Sequence, residues 1–164
     1  LWVKIPNCGE KWEEEPWMTA LKGTFNYSID HKGRVSIPAR FRGKPEAPGS
    51  DHYVVVRGFE GCLYVYPHEA WARVETGLAE LKSFSNTRAR RFLRALLSNA
   101  ADARLDKQGR IAIPQNLLDM AGIEREVVVR GILDKIELWN PEILRKYEES
   151  QSESYEDMAG ELLI

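Results

Sequence analysis

The sequence predicts an α+β protein: one pseudo-symmetric, β-rich core made from two internal repeats, with helices flanking it. Three observations predict this. One segment occurs twice, a valine strand follows each copy at nearly the same distance, and a Pro-started helical pattern follows each strand pair. Ser28 to Arg42 reads SIDHKGRVSIPARFR and Arg104 to Leu118 reads RLDKQGRIAIPQNLL. Asp30, Gly33, Arg34, Ile37 and Pro38 recur as Asp106, Gly109, Arg110, Ile113 and Pro114, each shifted by 76 positions. Val54-Val55-Val56-Arg57-Gly58 recurs as Val127-Val128-Val129-Arg130-Gly131, and Tyr66-Pro67 matches Asn140-Pro141. Repeats of this kind decide an architecture before any local reading does. Two such small units bury little apolar surface separately, so intertwining in one core is the favoured solution.

Each element has a local reason. Phe25 to Ile29 alternates apolar and polar residues, the period of a half-buried strand. Asp30-His31-Lys32-Gly33 reads as a turn, because Asp bonds the backbone ahead of it and Gly accepts a positive φ. Val35 to Ile37 returns, so the unit reads as a hairpin. Pro38 cannot donate to a ladder; it ends the strand and opens a short helix through Phe41. Val54 to Val56 is a buried strand, Gly58 to Gly61 a turn, and Cys62 to Tyr66 another strand. Pro67 to Lys82 places Trp71, Val74, Leu78 and Leu81 on one helical stripe. Ser85 serves as N-cap for a second helix running to about Asn99, with Leu93, Leu96 and Leu97 apolar. The second copy repeats the plan. Ile111 to Ile113 is a strand, then comes a short helix with Leu117, Leu118 and Met120 that Gly122 caps. Val127 to Val129 and Ile136 to Trp139 are strands, and Pro141 to about Ser150 is a helix carrying Ile143, Leu144 and Tyr147. The expected division is a first repeat over 23–69, a helical hairpin linker over 70–99, a second repeat over 100–143, and a C-terminal helix with an acidic tail over 144–164.

Composition bounds the function. An apolar fraction of 43% with 29% charged residues is that of a soluble globular chain. No apolar run reaches the roughly 18 residues of a membrane span. Leu1 to Trp17 contains Glu10, Glu13, Glu14 and Glu15 and resembles no secretory signal. Cys8 and Cys62 make no disulfide framework, so a reducing cytoplasm is the economical reading. The net charge of −2 is unevenly spread. Residues 142–164 hold seven acidic and two basic side chains, whereas residues 18–141 hold 14 acidic and 19 basic, a body compatible with a phosphate-facing surface.

The paired D-x-x-G-R-[IV]-x-I-P motifs, Asp30 to Pro38 and Asp106 to Pro114, resemble those of the MraZ family, within the SpoVT-AbrB-like transcription factors. The likeness covers roughly Met18 to Glu149. It implies a swapped-hairpin (AbrB-like, double-split) β-barrel, a closed ring of subunits, and binding of double-stranded DNA at short direct repeats ahead of division and cell-wall genes. It also implies a place on the nucleoid and no cofactor or small-molecule substrate. By motif match the DNA-contacting positions are Lys32 and Arg34, with Arg40 and Arg42 nearby, and Lys107 and Arg110 in the second copy. That copy departs from the pattern: Lys107-Gln108 replaces His31-Lys32, and Gln115-Asn116 replaces Ala39-Arg40. Leu1 to Trp17 has no counterpart in the family and reads as a non-native or disordered N-terminal extension.

Blander readings stand beside these. Arg34 and Arg110 can each pair with the Asp four residues earlier and only brace the turn. Arg88, Arg90, Arg91 and Arg94 can form a solvated helix face, a subunit contact or a DNA contact. Gly58-Phe59-Glu60-Gly61 lacks the Lys-[Ser/Thr] of a phosphate loop and reads as a turn. His31, His52 and His68 are scattered, with no metal-ligand spacing, and Trp71 and Trp139 read as core. No nucleophile with an adjacent base and no carboxylate pair is visible, which weighs against an enzyme. The rival to a regulator is an oligomeric scaffold, or an antitoxin-like protein whose tail from Glu148 to Ile164 grips a partner.

Overall fold

The computed structural model describes residues 20–163; the expectations on Leu1 to Trp17 and on Cys8 fall outside them. The first half runs β1 (Leu21–Ser28), β2 (Arg34–Ser36), a 3-10 turn (Ala39–Phe41), β3 (His52–Arg57), β4 (Leu63–Pro67), α1 (His68–Ala79) and α2 (Thr87–Leu97). The second runs β5 (Ala101–Arg104), β6 (Arg110–Ala112), α3 (Gln115–Ala121), β7 (Glu126–Leu133), β8 (Lys135–Trp139), α4 (Pro141–Ser150) and α5 (Tyr155–Leu163). The halves match element for element, with α3 in place of the 3-10 turn.

Six antiparallel strands lie in the order β1-β7-β8-β4-β3-β5, and β2 pairs with β6 in a separate ribbon. Exchanging the halves reverses this order onto itself. The first strand of each copy therefore pairs with the third strand of the other: β1 with β7 from Leu21↔Leu133 to Ser28↔Glu126, and β5 with β3 from His52↔Arg104 to Val55↔Ala101. This corrects the expected local hairpin. The turn at Asp30 does reverse the chain, but β1 and β2 then part to different partners. A returning strand of three residues offers too small a face to stand as a hairpin by itself. Crossing the halves instead brings Val35, Ile37, Ile111 and Ile113 together, all at most 3% exposed. The six-stranded ladder is open, with β1 and β5 at its edges, and no closed barrel is seen among the described residues.

The main core joins Val35, Ile37, Phe41, Ile111, Ile113 and Leu117 to the inward residues of the sheet, such as Val55, Val65, Val129 and Leu138. On the opposite face of the sheet, Val54, Val56, Tyr66, Ala70 and Trp71 form a cluster beneath α1 and α2, against which Leu96 of α2 packs. Cys62, Val128, Trp139 and Leu144 form another beneath α4, and Tyr64 touches both. Trp71 and Trp139 both lie in these clusters, as expected. The valine strands are thus buried on both faces, which explains their unbroken apolar run.

Helix termini follow local chemistry. Asn86, not Ser85, caps α2, its side chain accepting from the Ala89 N–H at 3.1 Å. Asn140 caps α4 by accepting from the N–H groups of Glu142 and Ile143. Gly122 ends α3, and Met120 on that helix is exposed. α5 is a separate helix inside the expected acidic tail, begun by Ser154, whose hydroxyl accepts from the Asp157 N–H and donates to its carboxylate. Among the described residues no helix is long and apolar enough to cross a membrane.

Candidate nucleic-acid interface

The two motif turns sit at opposite ends of the β2–β6 ribbon, whose register pairs Arg34 with Ala112 and Ser36 with Arg110. Val35 and Ile111 point into the core, so Arg34 and Arg110 point out. Each turn is built by its aspartate. Asp30 Oδ1 accepts from the N–H groups of Lys32 and Arg34, both at 2.9 Å, and Asp106 Oδ1 accepts from Gln108 and Arg110 at 2.8 and 3.0 Å. Gly33 and Gly109 complete the turns with φ of +73° and +75°. Their carbonyls cross to the other copy: Gly33 O accepts from the Ile113 N–H and Gly109 O from the Ile37 N–H, both at 2.9 Å.

Both arginines are tethered by the same aspartates. Arg34 Nε donates to Asp30 Oδ2 at 2.6 Å, and Arg110 Nε to Asp106 Oδ2 at 3.0 Å. Arg110 Nη1 also reaches Asp30 Oδ2 at 3.4 Å. The bracing role is therefore real, and it leaves a difference between the copies. Among the described residues Arg34 keeps Nη1 and Nη2 free, whereas Arg110 keeps only Nη2. The backbone N–H of Arg34, its guanidinium and the Lys32 N–H hold the Asp30 carboxyl down at about 2. The Asp106 carboxyl is lowered in the same way, first by the N–H of Arg110 and then by that of Gln108. These two carboxylates stay ionised throughout the neutral range and keep the arginines oriented.

Around this paired centre lie cations with open surfaces. Lys32 and Lys107 are exposed at the two turn tips, one on each copy. Arg40 is exposed and lies over the Phe25 ring, 5.5 Å from its centroid. Arg42 donates through Nε to the Ile37 carbonyl at 2.8 Å, and its guanidinium rests against Gly109 of the second turn. Arg40 and Arg42 also border a cavity of about 300 Å3 with Lys44, His52, Tyr53 and His68. Lys44 escaped the sequence reading because it belongs to no repeated position.

Other sequence expectations land elsewhere. Arg90 leaves the basic helix face: it donates to the carbonyls of Ser83 and Phe84, each at 2.8 Å, and to Thr87 Oγ1, clasping the α1–α2 turn. His52 and His68 are not scattered, since their rings stack at 4.8 Å and His52 Nε2 lies 2.7 Å from Asp102 Oδ1. Among the described residues no three His, Cys, Asp or Glu side chains are grouped to hold a metal ion.

Comparison with known proteins agrees with the duplication. The family model for MraZ protein matches twice, over residues 20–95 and 96–163. The chain is 41% identical over 138 residues to the transcriptional regulator MraZ of Halothermothrix orenii, covering 84% of this chain and 93% of that one. It is 38% identical over 141 residues to the namesake of Natranaerobius thermophilus, covering 86% and 95%. It is 40% identical over 144 residues to that of Thermoanaerobacter pseudethanolicus, covering 87% and 96%. With both halves matched, and with relatives of this identity aligned over nearly their whole length, the chain belongs to the MraZ family.

Proposed function

We propose that this chain is a sequence-specific, double-stranded DNA-binding transcriptional regulator of the bacterial cytoplasm and nucleoid, working without a cofactor. It recognises short direct repeats in a promoter through basic turns presented by a ring of identical subunits. The relatives' shared name supports the regulatory part. The observation that carries the DNA part is Arg34: one nitrogen is fixed to Asp30 while the terminal pair stays free on the outer ribbon face. A guanidinium held this way is pre-oriented for a two-pronged contact with guanine O6 and N7, which supplies about 1–3 kcal/mol of discrimination. Lys32, Lys107, Arg40 and Arg42 act on phosphates and set the register. Arg110, with a single free nitrogen, serves mainly to hold the two turns together. The crossed pairing of the first strands, β1 with β7 and β5 with β3, supports reading the fold as the swapped-hairpin type. One module makes few contacts, and several identical turns on spaced repeats multiply its affinity by making later contacts intramolecular.

The test is binding to the chain's own upstream region, measured by fluorescence anisotropy over a salt series. Arg34→Ala loses preference for the repeats, and Arg34→Lys does not restore it, because an ammonium has no fork. Lys32→Ala weakens binding to all sequences and lowers the salt slope by about 1. Full repeat affinity in Arg34→Ala overturns the assignment of the reading residue. The exposed α5 favours a second reading, an oligomeric scaffold or antitoxin-like interaction protein. Light scattering with and without promoter DNA separates the two: a scaffold gains no DNA-bound mass.

A further inference from the structure

The duplication extends past the strands. α4 follows β8 as α1 follows β4, and α5 then stands where α2 stands, so each half ends in a pair of helices. The two second helices carry opposite charge. α2 holds Arg88, Arg90, Arg91 and Arg94 and no carboxylate, while α5 holds Glu156, Asp157 and Glu161 and no basic residue. Among the described residues Arg88, Arg91, Arg94, Glu156 and Glu161 have no ion-pair partner.

Both helices also present apolar surface to water. Neither has a buried residue. On α5, Tyr155, Met158 and Leu162 recur at spacings of three and four, and Tyr155 and Leu162 are 77% and 65% exposed. On the basic hairpin, Phe84 is 99% exposed and Phe92 42%, with Arg88 one turn before Phe92 on the same face. Several large apolar side chains left exposed beside unpaired charges of one sign mark an interaction site.

We infer that α5 of one copy docks along the α1–α2 hairpin of a second copy. The Tyr155, Met158 and Leu162 stripe covers Phe84 and Phe92, and the α5 carboxylates face Arg88, Arg91 and Arg94. Complementary charge selects this occupant, and a second copy supplies both halves of the contact in equal number. The contact joins two different surfaces, so it runs head to tail and repeats until the rotation closes. The inference rests on the assembly in the functional reading and names its contact; it does not depend on which residues touch DNA.

The full-length protein is tested without DNA by sedimentation velocity. Wild type sediments as an oligomer. Glu156→Lys with Glu161→Lys reduces the mass to that of one chain, and so does the triple variant Arg88→Glu, Arg91→Glu, Arg94→Glu. Mixing the two variants in equal amounts restores the oligomer, because each α2 then matches the other variant's α5. That rescue also shows that both variants are folded. A wild type that sediments as a single chain, a reversal that keeps the full mass, or a mixture that stays dissociated overturns the proposal. Failure of the DNA reading instead shows as lost repeat binding at unchanged mass.

Discussion

Arg110 holds Asp30 across the two halves of the molecule, Nη1 to Oδ2 at 3.4 Å, while its own Nε holds Asp106 at 3.0 Å. One guanidinium thus ties the two turns together through a contact between residues 80 positions apart in the chain. The aspartates are as much a part of the candidate interface as the arginines, since they decide which guanidinium nitrogens are spent and which remain.

The acid limit of this arrangement follows from Asp30. Its carboxyl lies at about 2, chiefly because the Arg34 N–H and then its guanidinium donate to the ionised form. A carboxyl lowered by folding adds stability that is fully present above its unfolded value near 4 and is lost as pH falls through the folded value. The turn should therefore survive at pH 4 and weaken between about 4 and 2. Carboxyl-carbon NMR titration of Asp30 is expected to show a midpoint near 2, with Asp106 also below the ordinary aspartate range. A midpoint near 4 for Asp30 shows that the ion-pair chain does not form in solution.

Crossing of the halves makes the β2–β6 ribbon a keystone of the core. Ile111 is fully buried opposite the equally buried Val35. Ile111→Ala is expected to destabilise the protein by about 2–5 kcal/mol, the range for a core truncation that leaves a cavity. Val35→Ala should be non-additive with it, because the two side chains share one site. Urea unfolding of the two single variants and the double variant measures this. Strict additivity means that the two residues do not pack together.

Much of this was legible in the sequence, and the reason is local. Asp30 and Gly33 impose their own turn, and the Val54 and Val127 runs their own burial, wherever the rest of the chain goes. What no local signal sets is the choice of partner: whether β1 returns to β2 or crosses to β7 depends on which pairing covers Val35 and Ile111. Adjacent cap-competent residues blur a boundary, as Ser85 and Asn86 do. α5 did leave a trace, in Ser154 with Asp157 and in the spacing of Tyr155, Met158 and Leu162, but the surrounding acidic residues read as a tail. The Arg90 clasp and the His52–His68 stack join residues through loop geometry that periodicity does not encode.

Cys62 is expected to be inert in the folded protein. It is 1% exposed, and burial, reinforced by Glu137 and Glu60, pushes its thiol up to about 12. At neutral pH that leaves on the order of a thousand-fold less thiolate than an ordinary cysteine has. In a Cys8→Ser background, a disulfide reagent should label Cys62 only in denaturant. Rapid labelling of the native protein means that the cluster beneath α4 opens readily.

The turn glycines separate the two copies once more. Gly33 and Gly109 share nearly the same positive φ, so alanine at either strains the backbone by about 1–2 kcal/mol. Their surroundings differ. A Cβ on Gly33 meets the carbonyl oxygen of Ile113 at 2.9 Å, and that backbone is fixed, since the Ile113 N–H itself donates to Gly33 O. A Cβ on Gly109 meets the guanidinium of Arg42, the far end of a flexible side chain. Gly33→Ala should therefore lower the urea midpoint further than Gly109→Ala. Gly109→Ala should instead displace Arg42 and weaken binding to all DNA sequences alike, as loss of a phosphate contact does. If Gly109→Ala leaves DNA affinity untouched at every salt concentration, Arg42 is a structural brace for the second turn and drops out of the interface.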